Sequence, residues 1–136
     1  MKNQMTLKYK LTIAFSVFIA TYFVGLLDLY KKEYDKDQFT IQKIKTLLTK
    51  NCNCETVSIN TYYKGIQFDS KGNFTTEKVE YTLNNCSYKS LNQEAQKINT
   101  VLKNNIENYK RFDCIELNFV SAQDHKSISI NNGVVN

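Results

Sequence analysis

CETVSINTYYKGIQFDSKGNFTTEKVEYTLNNC, residues 54–86, is the stretch on which the fold turns. From Glu55 onward Val57, Ile59, Thr61 and Tyr63 alternate with Ser58, Asn60, Tyr62 and Lys64. A period of two marks a strand with one buried face. Asp69-Ser70-Lys71-Gly72-Asn73 concentrates turn-forming residues, and Val79, Tyr81 and Leu83 resume the alternation beyond it. A hairpin centred on Ser70 sets Val57 opposite Leu83, Ile59 opposite Tyr81 and Thr61 opposite Val79. Each pair lies on one face, which is what specifies register in a half-buried sheet. The same register sets Cys54 opposite Cys86, on the side away from Val57 and Leu83.

Outward from the hairpin, the period changes to that of helices. On the N-terminal side Ile41, Ile44, Leu47 and Leu48 follow helical spacing, with Asp37 as the cap and an end near Lys50-Asn51. On the C-terminal side Ser90-Leu91-Asn92-Gln93 reads as a capping box. Leu91, Ala95, Ile98, Leu102, Ile106 and Tyr109 then form an apolar stripe through a helix ending near Arg111. Ile115, Leu117 and Phe119 make a third strand, and Ile128 and Ile130 a fourth, joined by the polar loop Ala122 to His125. The expected register sets Leu117 opposite Ile130 and Phe119 opposite Ile128. The expectation is an α+β two-layer sandwich of order α-β-β-α-β-β, with both helices on one face of a four-stranded, mostly antiparallel sheet. Its halves read as a degenerate repeat, since Cys54 and Cys114 each open a strand just after a helix.

Ahead of this domain, Leu11 to Leu27 reads LTIAFSVFIATYFVGLL without a charge. Continued through Asp28 to Tyr30, it reaches about 30 Å at about 1.5 Å per residue, the thickness of a hydrocarbon core. Tyr9 and Tyr30 stand at the two interfaces, with lysines just outside. The expected organisation is a cytoplasmic tail at 1–10, a transmembrane anchor at 11–30, a charged linker at 31–36 and an extracytoplasmic domain at 37–136. A cleaved signal peptide shares this layout. However, Phe18-Ile19-Ala20 and Phe23-Val24-Gly25 both lack a small-x-small exit, and no cysteine near the end of the run offers an acylation site. Lys2, Lys8 and Lys10 precede the run and Lys31, Lys32 and Lys36 follow it, so charge barely orients the helix. Ser16/Ala20 and Thr21/Gly25 are small-xxx-small pairs, a route to homo-oligomers through the anchor.

Composition narrows the partners. The chain of 136 residues carries a formal charge of +5, but beyond Tyr30 there are 15 basic and 12 acidic residues. Arg111 is the only arginine, which argues against a nucleic-acid surface.

The four cysteines are the main chemistry-bearing candidates. All lie beyond the apolar run, and an even number in a secreted-type domain points to disulfides. Cys54–Cys86 follows from the register, leaving Cys52–Cys114 as the second bridge. The pairing also resolves the orientation, placing the domain on the oxidising side. A zinc site would have to use a Cys-x-Cys spacing that is too short, and Cys-x-x-Cys is absent. His125 is the only histidine and stands beside Asp124 in a hairpin loop, which reads as surface. Glu77, Glu80 and Glu116 share their strands with lysines, the pattern of a solvated sheet face. No catalytic set, metal or cofactor is expected. Asn73-Phe74-Thr75 and Asn85-Cys86-Ser87 match the glycosylation sequon, relevant only in a eukaryotic secretory pathway.

Ile66, Phe68 and Phe74 cluster at the hairpin tip, where strict alternation sets Ile66 and Phe74 opposite the core and near Tyr62. Either a bulge at Gly65 returns them to the core or, with Tyr62, they form a partner-binding patch. The functional expectation is a membrane-anchored envelope component that presents a disulfide-stapled domain to a protein partner. A thiol or redox enzyme using the cysteines is the alternative class, and an immunity or inhibitor protein for a secreted toxin fits the first class equally well.

Overall fold

A computed structural model of the chain describes residues 2–65 and 76–136, with side chains described from Tyr9, Lys10 excepted. The hairpin tip with Ile66, Phe68 and Phe74 lies outside the described residues. The elements are α1 (Lys2–Asn51), β1 (Thr56–Gly65), β2 (Thr76–Asn84), α2 (Leu91–Asn105), a 3-10 turn (Tyr109–Arg111), β3 (Cys114–Val120), β4 (His125–Asn131) and β5 (Val134–Val135). The chain forms two compact units, Met1–Phe39 and Thr40–Asn136.

In the first unit α1 holds the apolar run, whose side chains from Leu11 to Leu29 are exposed. The helix is long and apolar enough to cross a membrane, with a mean hydropathy of 1.9 in its most apolar window. Ser16 donates to the Thr12 carbonyl (2.8 Å), and Thr21 donates to the carbonyls of Val17 and Phe18. Both hydroxyls are therefore satisfied within their own helix, as an apolar surrounding demands. Residues 31–36 are helical, and Asp37 lies inside α1 rather than at its start. Neither Gly nor Pro occurs between Leu26 and Asn51, so no residue there stops a helix.

The second unit is an α+β sandwich with five strands, one more than expected. Their spatial order follows the chain, β1-β2-β3-β4-β5. Three pairings are antiparallel and β2–β3 is parallel, a connection that needs the crossover supplied by α2. The added strand follows from Asn132-Gly133, both at positive φ (49° and 78°). Such a pair makes a tight hairpin turn, returning Val135 opposite Ile130.

The β1–β2 register agrees with expectation at Val57/Leu83 and Ile59/Tyr81 and then shifts. Asn60 is the extra residue of a bulge, so Thr61 faces Glu80 and Tyr62 faces Val79. Thr61 does not meet Val79. The Asn60 amide donates to Glu80 (3.3 Å) and accepts from Thr82 (2.8 Å), which pins the extra residue in place. The β3–β4 register is also displaced, with Leu117 opposite Ile128 and Ile115 opposite Ile130. The two registers differ by two residues and so keep the same faces. The turn decides between them: Ser121 N–H donates to the Asp124 carbonyl (2.8 Å), and the Ser121 hydroxyl oxygen accepts from Asp124 N–H (3.1 Å).

Ser90 occupies the N-cap of α2 in extended conformation, but its side chain makes no capping bond. The helix stops at Asn105 instead of near Arg111, because Ile106 is extended and Asn108 adopts a left-handed conformation (φ 55°). Ile106 and Tyr109 remain buried, so the apolar stripe persists after the helix has ended.

The core gathers Ile41, Ile44 and Leu48 of α1, Ala95, Ile98 and Leu102 of α2, and the inward sheet residues Val79, Tyr81, Leu83, Ile115, Leu117, Phe119, Ile128 and Ile130. Both helices therefore serve one cluster. Two buried polar contacts lock it. Tyr81 donates to the Ile41 carbonyl (3.0 Å), and Asn99 donates to the Gly133 carbonyl (3.0 Å) while accepting from the Tyr109 hydroxyl (2.9 Å).

Candidate functional site

The first hairpin and the sheet face away from the helices carry most of the singled-out residues. Cys54 and Cys86 are joined in a disulfide at the base of this hairpin, opposite its tip. Both lie outside the strands, where alternation no longer applies, and both are half-buried against the core, not on the far side.

The second expected bridge is absent: Cys52 and Cys114 are free thiols. Cys52 follows the end of α1 and belongs to the buried core. Cys114 precedes Ile115 in β3, so by alternation it projects from the opposite sheet face. The sheet stands between them, whereas a disulfide needs Cα atoms within about 7 Å. Burial pushes the Cys52 thiol up to about 12, with the Glu94 carboxylate adding to the effect and Lys97 opposing it. Burial also raises Cys114, partly offset by Lys78. Neither has the depressed pKa of a reactive thiolate.

The bulge redistributes the hairpin residues. Tyr62 turns to the helix side and packs, partly buried, against the core. Lys64 follows it onto that side, where it meets Glu77 (3.5 Å). Glu77 is thus a buried residue instead of part of a solvated face, and the Arg111 Nε lies 3.1 Å from its other oxygen. Backbone bonds frame the pair: Glu77 N–H donates to the Asp113 carboxylate (2.8 Å), and Asp113 N–H donates to the Glu77 carbonyl (2.9 Å). The guanidinium also lies 4.9 Å from the centre of the Phe112 ring. This cluster holds the start of β3 against the start of β2, a structural task for the only arginine.

The open sheet face is a connected polar surface. Glu80 accepts from Asn60 and from Asn118 (2.6 Å), and Asn118 in turn accepts from Ser127. Lys78 pairs with Glu116 at 2.6 Å, a contact that raises the lysine pKa through the hydrogen bond to Glu116. The chain of contacts crosses β1, β2, β3 and β4. Asn60 and Asn118 are its centres, and sequence reasoning missed both because polar residues on a strand read alike whether they bond to water or to each other.

His125 opens β4 at the exposed end of the β3–β4 turn. Asp124 is held by Lys126, whose hydrogen bond lowers the carboxyl pKa. Beside this turn Cys86, Tyr88, Phe119, Val120, Ser121 and Asp124 line a cleft of about 70 Å³. Small-molecule sites start at roughly 300 Å³, so this cleft is too small for a ligand of that size. Among the described residues no group of three or more His, Cys, Asp or Glu is placed to hold a metal ion.

The described elements therefore offer a connected polar face, a ten-residue outer strand and a half-buried disulfide. Compared with known proteins, the chain matches no family model, no curated protein and no solved structure.

Proposed function

We infer that this chain is a single-pass membrane protein of a cell envelope, N-terminus in the cytoplasm, whose Thr40–Asn136 unit binds or assembles with another protein outside. The observation that carries this reading is the pairing of an exposed apolar helix with a disulfide in one chain. Disulfides persist in oxidising compartments, and an apolar helix of this length is stable in lipid. The extensive polar face and outer strand suit surface recognition. Immunity to a secreted toxin is one form that such recognition takes. The alternative of a thiol enzyme requires a depressed thiol pKa, whereas burial raises that of both free cysteines.

Two measurements test the reading. Carbonate extraction should leave the protein in the membrane fraction, and protease added outside intact cells should destroy the 40–136 unit while sparing an N-terminal tag. Recovery of a soluble form beginning near Thr21 would instead show a cleaved signal and remove the anchor. With topology established, cross-linking and pull-down of the intact membrane protein should recover a protein partner; failure to enrich one would defeat the binding reading.

A further inference from the structure

β1 is an outer strand. β2 pairs with one of its edges, and among the described residues no strand pairs with the other. At the far edge of the sheet, β5 and the reciprocal Ser129–Asn136 backbone bonds cover the end of β4. β1 runs for ten residues without proline and with one charge, Lys64. A sheet edge that no described strand covers is a template for another strand.

The bulge determines which strand fits. Before it Val57 and Ile59 face the helices, and after it Tyr62 and Lys64 do. The regular strand β2 meets this change of phase by leaving Asn60 unopposed. A second β1 running antiparallel changes phase at the same place. We propose that β1 pairs with β1 of a second copy of this chain across a two-fold axis between Ile59 and Asn60. This register sets Val57 opposite Tyr62 on the helix side, and Ser58 opposite Thr61 and Thr56 opposite Tyr63 on the open side. Faces match at these pairs and at Glu55 with Lys64; only at the axis itself, where the bulge lies, does Ile59 of the helix side meet Asn60 of the open side.

Charge selects the same register. Glu55, exposed just ahead of the strand and accepting from Asn85 (2.6 Å), meets Lys64 of the second copy, whose ammonium lies 3.5 Å from Glu77 of its own chain, and the two-fold axis repeats the pair. A register that set Lys64 against itself would oppose like charges, which is destabilising. Tyr63, 54% exposed, and the half-buried Ile59 and Tyr62 gain cover from the added strand. The contact is isologous and closes on itself, so it yields dimers and not fibres.

The test uses the full chain in detergent micelles, in a Cys114→Ser background that removes the open-face thiol. Ser58→Cys and Thr61→Cys chains carrying tags of different size are co-expressed and mildly oxidised. Directly opposed residues of antiparallel strands have Cα atoms about 4.5–5.5 Å apart, within disulfide reach. The expected result is a mixed dimer on non-reducing gels, severalfold above the self-linked product of either variant alone. Glu55→Lys added to both chains should reduce that mixed product, with circular dichroism unchanged. Equal self-linking of both single variants would show association by another surface, such as the apolar helix, and overturn the proposal. A folded pair giving no mixed dimer would overturn it too, as would capture of a foreign extended peptide on β1 by chains that do not link to each other.

Discussion

Arg111 shows how one residue can be misjudged from composition and explained by contacts. As the only arginine it argues against phosphate recognition, and in the structure it neutralises the buried carboxylate of Glu77. Arg111→Met would take away the nearer cation and leave the more distant Lys64, at 3.5 Å from Glu77. Removing one partner of a buried pair leaves an uncompensated charge. The expected loss is about 3 kcal/mol, at the low end of that effect because Arg111 keeps some exposure. Urea denaturation should read it as a lower midpoint, and Glu77→Gln in the same chain should recover part of the loss. An unchanged midpoint would mean that Lys64 suffices. Alternation from Val79 already sets Glu77 on the core side of β2; its burial was missed because a carboxylate among lysines reads as solvated, and its partners Lys64 and Arg111 lie far from it in the sequence.

At the scale of elements, hydrophobic period carried most of the reading and turn chemistry the remainder. The inward residues of β2, β3 and β4 were legible because a period of two needs only the strand itself. Register was less so: the β3–β4 alternatives differ by two residues and satisfy the same pattern, and only the Ser121–Asp124 bonds separate them. The Asn132-Gly133 turn was readable, but the strand after it has two residues, too few to show any period. The helix boundary at Asn105 escaped because the buried stripe continues through Ile106 and Tyr109 in non-helical conformation. Of the candidate site, the disulfide at the hairpin base was legible from register, whereas the expected Cys52–Cys114 bridge does not form: alternation from Ile115 turns Cys114 to the open face while Cys52 lies in the core. The bulge makes a testable element. Asn60→Ala removes a donor and an acceptor from an exposed network, at a cost of about 1 kcal/mol. Chemical denaturation should register that modest loss, while a change of several kcal/mol would mean that the register itself had slipped.

The whole molecule should be sensitive to alkali. Burial raises the Cys52 thiol from 9.0 to about 12 and the Tyr109 hydroxyl from 10.0 to about 12, and it raises Tyr81 further still. Below pH 9 folded and unfolded chains hold these protons alike. Above it the unfolded chain releases them first, so stability falls as pH rises toward about 12. A melting temperature measured from pH 7 to 11 should be level at first and then decline; a flat profile throughout would mean that these groups are reached by solvent. The disulfide has a different consequence at this scale. With Cys54 and Cys86 joined, β1, the tip and β2 form a covalent ring that the chain enters at one cysteine and leaves at the other. A peptide bond broken anywhere in that ring divides the backbone without dividing the molecule. The N-terminal helix and the remainder of the sheet stay attached as one particle until a reductant arrives, so a nick at the tip adds only the mass of a water molecule in oxidising surroundings and becomes a separation only on entry into a reducing one.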